Sequence, residues 1–410
     1  MSAFNRREFV KLAGVTGLGV VAAPQVVFAA DPIAPRNTDT LVVIFQRGAM
    51  DGLTAVVPYN ETEYYAKRPN LAVPRPGTGD TAAIDLDGQF AFAPQMAPLK
   101  ALWDRSELAV VHAAGLTFPS RSHFDAQDFM ERAWLTPGQV FSGWLNRHLS
   151  TTSQTTDATF RAIGVGRALP RSMTGPAPII NLASIAAFDI TSRSPRKSEM
   201  ETALQTSFSG SDFLDSTGNR AFSAVDELTN RGVSTLSVEN GAVYPTTTFG
   251  SQMRDLAKLL KSGLGVEAAT CEIGGWDTHN NQGVGLPNLL DQFAKTLAAF
   301  HTDLGARMRN ITVVTMTEFG RRLLENGSRG TDHGRASCMF VMGGGTLGKR
   351  VYGDWPTLAP NRLEIGDLRV TTDYRTVLAE LLAKRCGNSN RAEVFPGFAA
   401  TPALGMFTAR

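Results

Sequence analysis

Residues 41–51 read Leu-Val-Val-Ile-Phe-Gln-Arg-Gly-Ala-Met-Asp. Five apolar residues stand in a row, three of them β-branched. A strand with one wet face would alternate apolar and polar positions. An unbroken run is what a strand covered on both faces requires, the mark of a parallel sheet between helices. The glycine-containing turn 46–51 then delivers Asp51 to the strand's carboxyl end. Outward from this run the chain repeats the pattern. Leu108–Val111, Phe160–Val165, Ile179–Leu182, Val266–Ile273, Ile311–Met316 and Cys338–Met342 read as further strands. Met96–Trp103, Phe124–Trp134, Ser142–Leu149, Thr248–Lys261, Leu286–Leu304 and Tyr374–Leu382 read as helices. The alternation predicts an α/β protein, a three-layer α/β/α sandwich with a mainly parallel central sheet. Ligands of such sheets bind beyond the carboxyl ends of the strands. The polar stretch near 192–240 reads as an inserted helical cap.

Composition narrows the function. The 410 residues are 43% apolar and 19% charged, which excludes a disordered or coiled-coil chain. A net charge of +2 gives no electrostatic case for a nucleic-acid partner. The 3 cysteines contain no CxxC pair, so no disulfide framework or zinc ribbon is expected. Residues 1–29 read as a signal peptide. Arg6-Arg7, Phe9 and Lys11 precede a weakly apolar, glycine-rich stretch that ends in Ala29-Ala30. The arginine pair is similar to a twin-arginine export signal. The stretch is too glycine-rich for a stable membrane span, so none is expected in the mature chain, 30–410. Its removal takes Arg6, Arg7, Lys11 and Glu8 away and leaves basic and acidic residues at parity.

Four clusters carry chemistry. Asp51 at a strand mouth suits a cation, or caps a turn. Thr117, Ser120 and Ser122 are candidate nucleophiles. Between them and the helix lie Arg121, suited to an oxyanion, and His123, suited to metal binding or acid/base work. The bland alternative is that Ser122 caps the following helix. After strand 266–273, Gly-Gly-Trp-Asp277-Thr-His279 sets a carboxylate and an imidazole two apart, ligands for zinc, iron or manganese. After strand 311–316 come Glu318 and then Asp332-His333-Gly334. Two histidine-plus-carboxylate clusters, each after a strand, converge on a divalent-metal site. Zinc leads, with manganese, magnesium, calcium or iron as alternatives. Asp51, Asp277, His279, Glu318, Asp332 and His333 are its candidate ligands, and Ser122, Thr117, Arg121 and His123 the candidate catalytic residues. His148 and His301 lie within helix patterns and read as structural.

The motifs Arg47-Gly48-Ala49-Met50-Asp51-Gly52-Leu53, Arg121-Ser122-His123-Phe124-Asp125, Gly275-Trp276-Asp277-Thr278-His279, Thr317-Glu318-Phe319-Gly320-Arg321 and Thr331-Asp332-His333-Gly334 resemble the exported family called domain of unknown function 1501. More distantly, their order is similar to the alkaline phosphatase and sulfatase superfamily. There an early Asp, a hydroxyl or modified Cys nucleophile, an Asp/His cluster and Asp-His-Gly follow one another. Thr117-Phe118-Pro119-Ser120-Arg121 is similar both to the sulfatase motif and to the Thr-Phe-Pro of nucleotide pyrophosphatases. A Thr at 117 excludes formylglycine there, and no His follows His333 to complete a second metal site. The nucleophile stays open: Ser122 by one resemblance, Thr117 by the other.

The resemblance implies a periplasmic or secreted, metal-dependent hydrolase of small anionic phosphate or sulfate esters. It would be exported folded by the twin-arginine machinery, with the cap shaping its pocket. The alternative is a cell-envelope binding or assembly protein on the same fold. An oxidoreductase ranks last, since no GxGxxG opens a helix after a strand and no CxxCH motif occurs.

Overall fold

The run that opens the sequence is the middle of the sheet. In the computed structural model, residues 19–21, 39–135, 140–152, 159–188, 197–210, 213–399 and 401–410 are described. The main strands in chain order are β1 (Thr40–Gln46), β2 (Leu108–Gly115), β3 (Ala162–Val165), β4 (Ile179–Leu182), β5 (Ala268–Ile273) and β6 (Ile311–Met316). A short ribbon of β7 (Arg321–Glu325) and β8 (Thr331–His333) then leads into β9 (Ser337–Gly343). They lie side by side as β4-β3-β5-β1-β6-β9-β2. Strands β4, β3, β5, β1 and β6 are mutually parallel, with Val42 of β1 beside Val313 of β6 and Ala269 of β5.

Strand β9 runs antiparallel to both β6 and β2. The reason lies in the connection. The chain passes from β6 to β9 through the ribbon, without the crossover helix that a parallel return needs.

Side-chain alternation along β1 divides the core in two. Leu41, Val43 and Phe45 face one apolar layer with helices α1 (His123–Arg132), α2 (Trp144–Thr151) and, near the end of the chain, Tyr374–Arg385. Val42 and Ile44 face another, with Thr248–Lys261 and Gln282–Leu304. Two helical layers on one sheet make the expected three-layer sandwich.

Helices α3 (Lys197–Ser207) and α4 (Phe213–Asn230) form the described part of the insertion, and α5 (Thr248–Lys261), α6 (Gln282–Leu304) and α7 (Tyr374–Arg385) follow. The loop after α4 receives Lys258 and Lys261 of α5 on the carbonyls of Ser234 and Ser237, and the Glu239 N–H donates to Asp303 of α6. Lys258, Lys261 and Asp303 sit in the last turns of helices that run antiparallel to the strands. These contacts therefore lie at the amino end of the sheet, away from the strand mouths. The loop 234–239 is thereby held at that end of the sheet.

The leader read from the sequence lies outside the described residues except for Gly19–Val21, which pairs antiparallel with β4. No helix among the described residues is long and apolar enough to cross a membrane. All 3 cysteines are buried and free.

Candidate metal centre

The carboxyl ends of β1, β5 and β6 open on one side of the sheet, and three loops meet there. The loop after β1 turns through Gly48 at φ 116°, where a Cβ would stand 2.7 Å from the Asp277 nitrogen. Only glycine lets the two loops touch. Gly330 does the same for the ribbon, since a Cβ there would lie 2.1 Å from the His279 carbonyl oxygen. Gln282 ties the loops from below. Its Nε2 donates to Asp51 at 2.6 Å, and its Oε1 accepts from Thr278 at 2.9 Å and Thr331 at 2.6 Å. Helix α1 enters last, with Ser122 as its N-cap and His123 as its first residue.

This framework gathers His123, His279, His333 and Asp277. The Asp277 Oδ1 lies 3.4 Å from His123 Nε2, 3.1 Å from His279 Nε2 and 3.1 Å from His333 Nε2. His279 Nε2 and His333 Nε2 are 2.9 Å apart. Each imidazole is held from behind through Nδ1. Glu318 takes His123 at 2.7 Å, Asp332 takes His279 at 3.1 Å, and the Arg121 carbonyl takes His333 at 2.8 Å. A carbonyl can only accept, so His333 carries its proton on Nδ1. Both carboxyls are held below their ordinary range. Burial pushes the Glu318 carboxyl up, but the hydrogen bonds from His123, Gln127 and backbone N–H groups win. The hydrogen bonds of Asn326 and His279 do the same for Asp332. Ionised acceptors put the proton on Nδ1 of His123 and His279 as well.

With Nδ1 so engaged, the three rings turn their Nε2 atoms toward one carboxylate oxygen of Asp277. Asp277 is ionised. Burial opposes this, but the Arg321 hydrogen bond and charge, with His333 and His279, bring it down to about 2. Burial also resists a proton on His333, whose affinity is lowered. On His123 the Glu318 hydrogen bond raises it. His123 Nε2 is a buried nitrogen with no hydrogen-bond partner in the structure. Converging acceptors of this kind are what a divalent cation requires. Zinc bonds of 2.0–2.1 Å set tetrahedral ligand atoms about 3.3 Å apart; the three approaches to Asp277 Oδ1 and the His279–His333 approach run from 2.9 to 3.4 Å, and the donor atoms of His123, Asp277 and His333 all lie within 4.8 Å of one another. The donor set fits zinc and other imidazole-binding metals. Second partners on each histidine complete the pattern of a metal-ligating imidazole.

Residues 38–381 match the family model described as protein of unknown function, DUF1501. The chain belongs to this family. No curated protein matches this DUF1501 chain. Among solved structures it is similar to the C-terminal periplasmic domain of EcEptC from Escherichia coli, with 9% identity and a TM-score of 0.39 over 91% of this chain and 92% of that one. A complex of the same domain with Zn gives 10% identity and a TM-score of 0.36, again over 91% and 92%. The lipoteichoic acid synthase LtaP from Listeria monocytogenes gives 9% and 0.35, over 88% of this chain and 80% of that one.

The sequence candidates divide. Asp277, His279 and His333 come together as expected. His123, taken from the sequence as a catalytic candidate, joins them as a fourth donor. Glu318 and Asp332, expected as ligands, instead stand behind His123 and His279. Asp51 is a correction. Its carboxylate is fully buried against Arg68, at 2.7 and 3.1 Å, and accepts from Thr54 and Gln282. A guanidinium occupies the cation's place there. Arg321 is likewise spent, on Asp277 and on the carbonyls of Gly48, Ala49, Trp276 and Thr331. Arg121 pairs with Asp367. Thr117 donates to Asp373 at 3.3 Å, and the Ser122 hydroxyl accepts the Asp125 N–H in a long 3.4 Å cap. His112 lies inside β2, buried, with Nε2 on the Val56 carbonyl at 2.9 Å. Sequence spacing gave no signal for Arg68, Gln282 or Gln127, which are ordinary polar residues in loops and helices.

Proposed function

We propose that this DUF1501 chain is a metal-dependent hydrolase of phosphate or sulfate esters. The observation that carries the reading is the convergence of three imidazole Nε2 atoms on Asp277 Oδ1, each ring fixed from behind. His123, Asp277, His279 and His333 would hold the ion. A divalent cation bound there supplies Lewis-acid polarisation of an ester oxygen. The chain's own residues do the rest. Glu318, Asp332 and the Arg121 carbonyl fix the tautomers and ring planes, and Arg321 keeps Asp277 charged. Ser122 is the better placed hydroxyl, being next to His123 and held only by its long cap, and Arg121 is the candidate oxyanion clamp. The leader read from the sequence makes the protein an export substrate of the twin-arginine machinery, periplasmic or secreted, with cleavage after Ala29.

The test begins with metal content. Protein purified in its folded state should carry about one divalent ion per chain by mass spectrometry, lost in His333→Ala and Asp277→Ala. It should then cleave members of a panel of phosphate mono- and diesters and sulfate esters, and a covalent adduct should map to Ser122. Metal without turnover on any ester would favour the second reading, a cell-envelope binding protein. That reading has one observation behind it: neither Ser122 nor Thr117 hydrogen-bonds to a histidine. Absence of stoichiometric metal refutes the hydrolase.

A further inference from the structure

The turn Glu364–Asp367 lies beside the metal centre and is built against its own stability. Glu364 and Asp367 exchange backbone hydrogen bonds of 2.9 and 3.1 Å, which leaves Ile365-Gly366 as a two-residue hairpin tip. Both tip residues have positive φ, 53° and 81°. Such tips take Asn-Gly or Gly-Gly, because a β-branched side chain is crowded at positive φ. Ile365 is nevertheless there, and 81% exposed. A strained, exposed, apolar residue gains nothing for folding. Outliers of this kind gather at binding sites.

What the turn holds is the second observation. Asp367 is wholly buried, yet it accepts from Arg121 and from Arg322, at 3.1 Å for the latter, while both guanidiniums stay about one-third exposed. The Ile365 carbonyl takes another Arg322 N–H at 3.2 Å. Two cations share this one anion, and the charge of Arg322 also reaches Asp332 behind His279. Each guanidinium has five N–H donors. The described contacts use one of Arg121's and two of Arg322's. The pair also touches the metal centre. The Arg121 carbonyl holds His333, and Arg322 follows Arg321, which holds Asp277. Two other apolar side chains are exposed on segments that carry site residues: Leu324, on the same face of β7 as Arg322, and Phe124, next after His123 and 89% exposed.

We infer that the turn is the specificity element of the site: Arg121 and Arg322, aimed by Asp367, take the anionic group of an ester, and Ile365 with Phe124 and Leu324 takes an apolar alcohol part. The substrate class is thus an amphiphilic anionic ester, alkyl or aryl. This rests on the ester reading above and names the substrate that reading leaves open.

Calorimetric titration with inorganic phosphate and with octyl phosphate tests it, on protein as purified and after chelation of its metal. Wild type should bind octyl phosphate more tightly than phosphate. Arg322→Gln should weaken both about tenfold, the loss expected for charge-assisted hydrogen bonds at a part-exposed site. Ile365→Asn should leave phosphate unchanged and weaken octyl phosphate about fivefold, with a thermal midpoint equal to or above wild type. The inference is overturned if Arg322→Gln leaves both affinities unchanged, or if Ile365→Asn leaves their ratio unchanged. Metal content does not enter either comparison. A chain without metal that still shows both effects refutes the hydrolase and keeps the specificity element.

Discussion

Replacing Arg68 with methionine removes the only cation in contact with Asp51 among the described residues, at a place neither side chain shares with solvent. The substitution deletes two hydrogen bonds to the carboxylate and two more that Arg68 gives to the carbonyls of Leu323 and Arg322. Thr54 and Gln282 remain on Asp51, but no positive charge does. Breaking a buried pair from one side costs about 3–5 kcal/mol, because the surviving charge is left in a poor solvent. At ~2.1 cal/mol/K per residue, a chain of this length loses about 5 °C of thermal midpoint for 4 kcal/mol. The double variant Arg68→Met/Asp51→Asn should recover about half of that, since the stranded charge has gone. Scanning calorimetry gives the midpoints, and elemental mass spectrometry on the same samples gives the metal. Asp51→Asn should lower stability and leave metal content as in wild type. If Asp51→Asn strips the metal while Arg68→Met leaves the midpoint in place, Asp51 is a ligand and the pairing argument is wrong.

Glu318→Gln should weaken zinc binding about 10–100-fold in chelator competition, since the carboxylate behind His123 is lost while the ring remains; unchanged affinity would show that Glu318 does not orient the ligand. His112 sets a pH dependence of stability. Burial lowers its affinity for a proton, to about 4, while an unfolded chain protonates near 6.5. Its contribution is therefore complete above pH 6.5 and lost as pH falls toward 4, about 3 kcal/mol in all. His112→Gln should remove that part of the acid slope in urea titrations, and an unaltered slope would contradict it. Burial also pushes the thiols of Cys271, Cys338 and Cys386 up, out of the reactive range. None should react with a thiol reagent until the chain unfolds, and prompt labelling of one would show that its cover is not closed.

The sheet was readable because burial on both faces writes itself into composition. Leu41 to Phe45 had to be interior, and the flanking helices had to cover them. The direction of β9 was not readable, because it depends on the ribbon between β6 and β9, whose short strands carry weak apolar patterns. Asp277, His279 and His333 were legible as polar residues stranded after apolar runs. The division of labour was not. Whether a carboxylate takes a metal or an imidazole Nδ1 depends on a few ångströms of loop position, and Glu318 and Asp332 fell on the far side. Asp51 misled for a similar reason. Its partner lies 17 residues away in a loop without periodicity, so nothing local announced that a guanidinium would fill the space.

The histidines of the centre are distant in the chain. His123 meets Glu318 across 195 residues, and His279 meets His333 across 54. No fragment emerging from the ribosome can assemble the site before β5, β6 and the ribbon are all in place. A metal held by these residues would therefore be among the last things the nascent molecule acquires, taken up wherever folding ends. Imidazole-rich sites follow a fixed order of intrinsic preference among the first-row metals, with copper above zinc and zinc above manganese and iron. Such a site takes the strongest competitor present when it closes. Where the chain completes its fold, more than the ligands themselves, would then decide which ion such a centre takes.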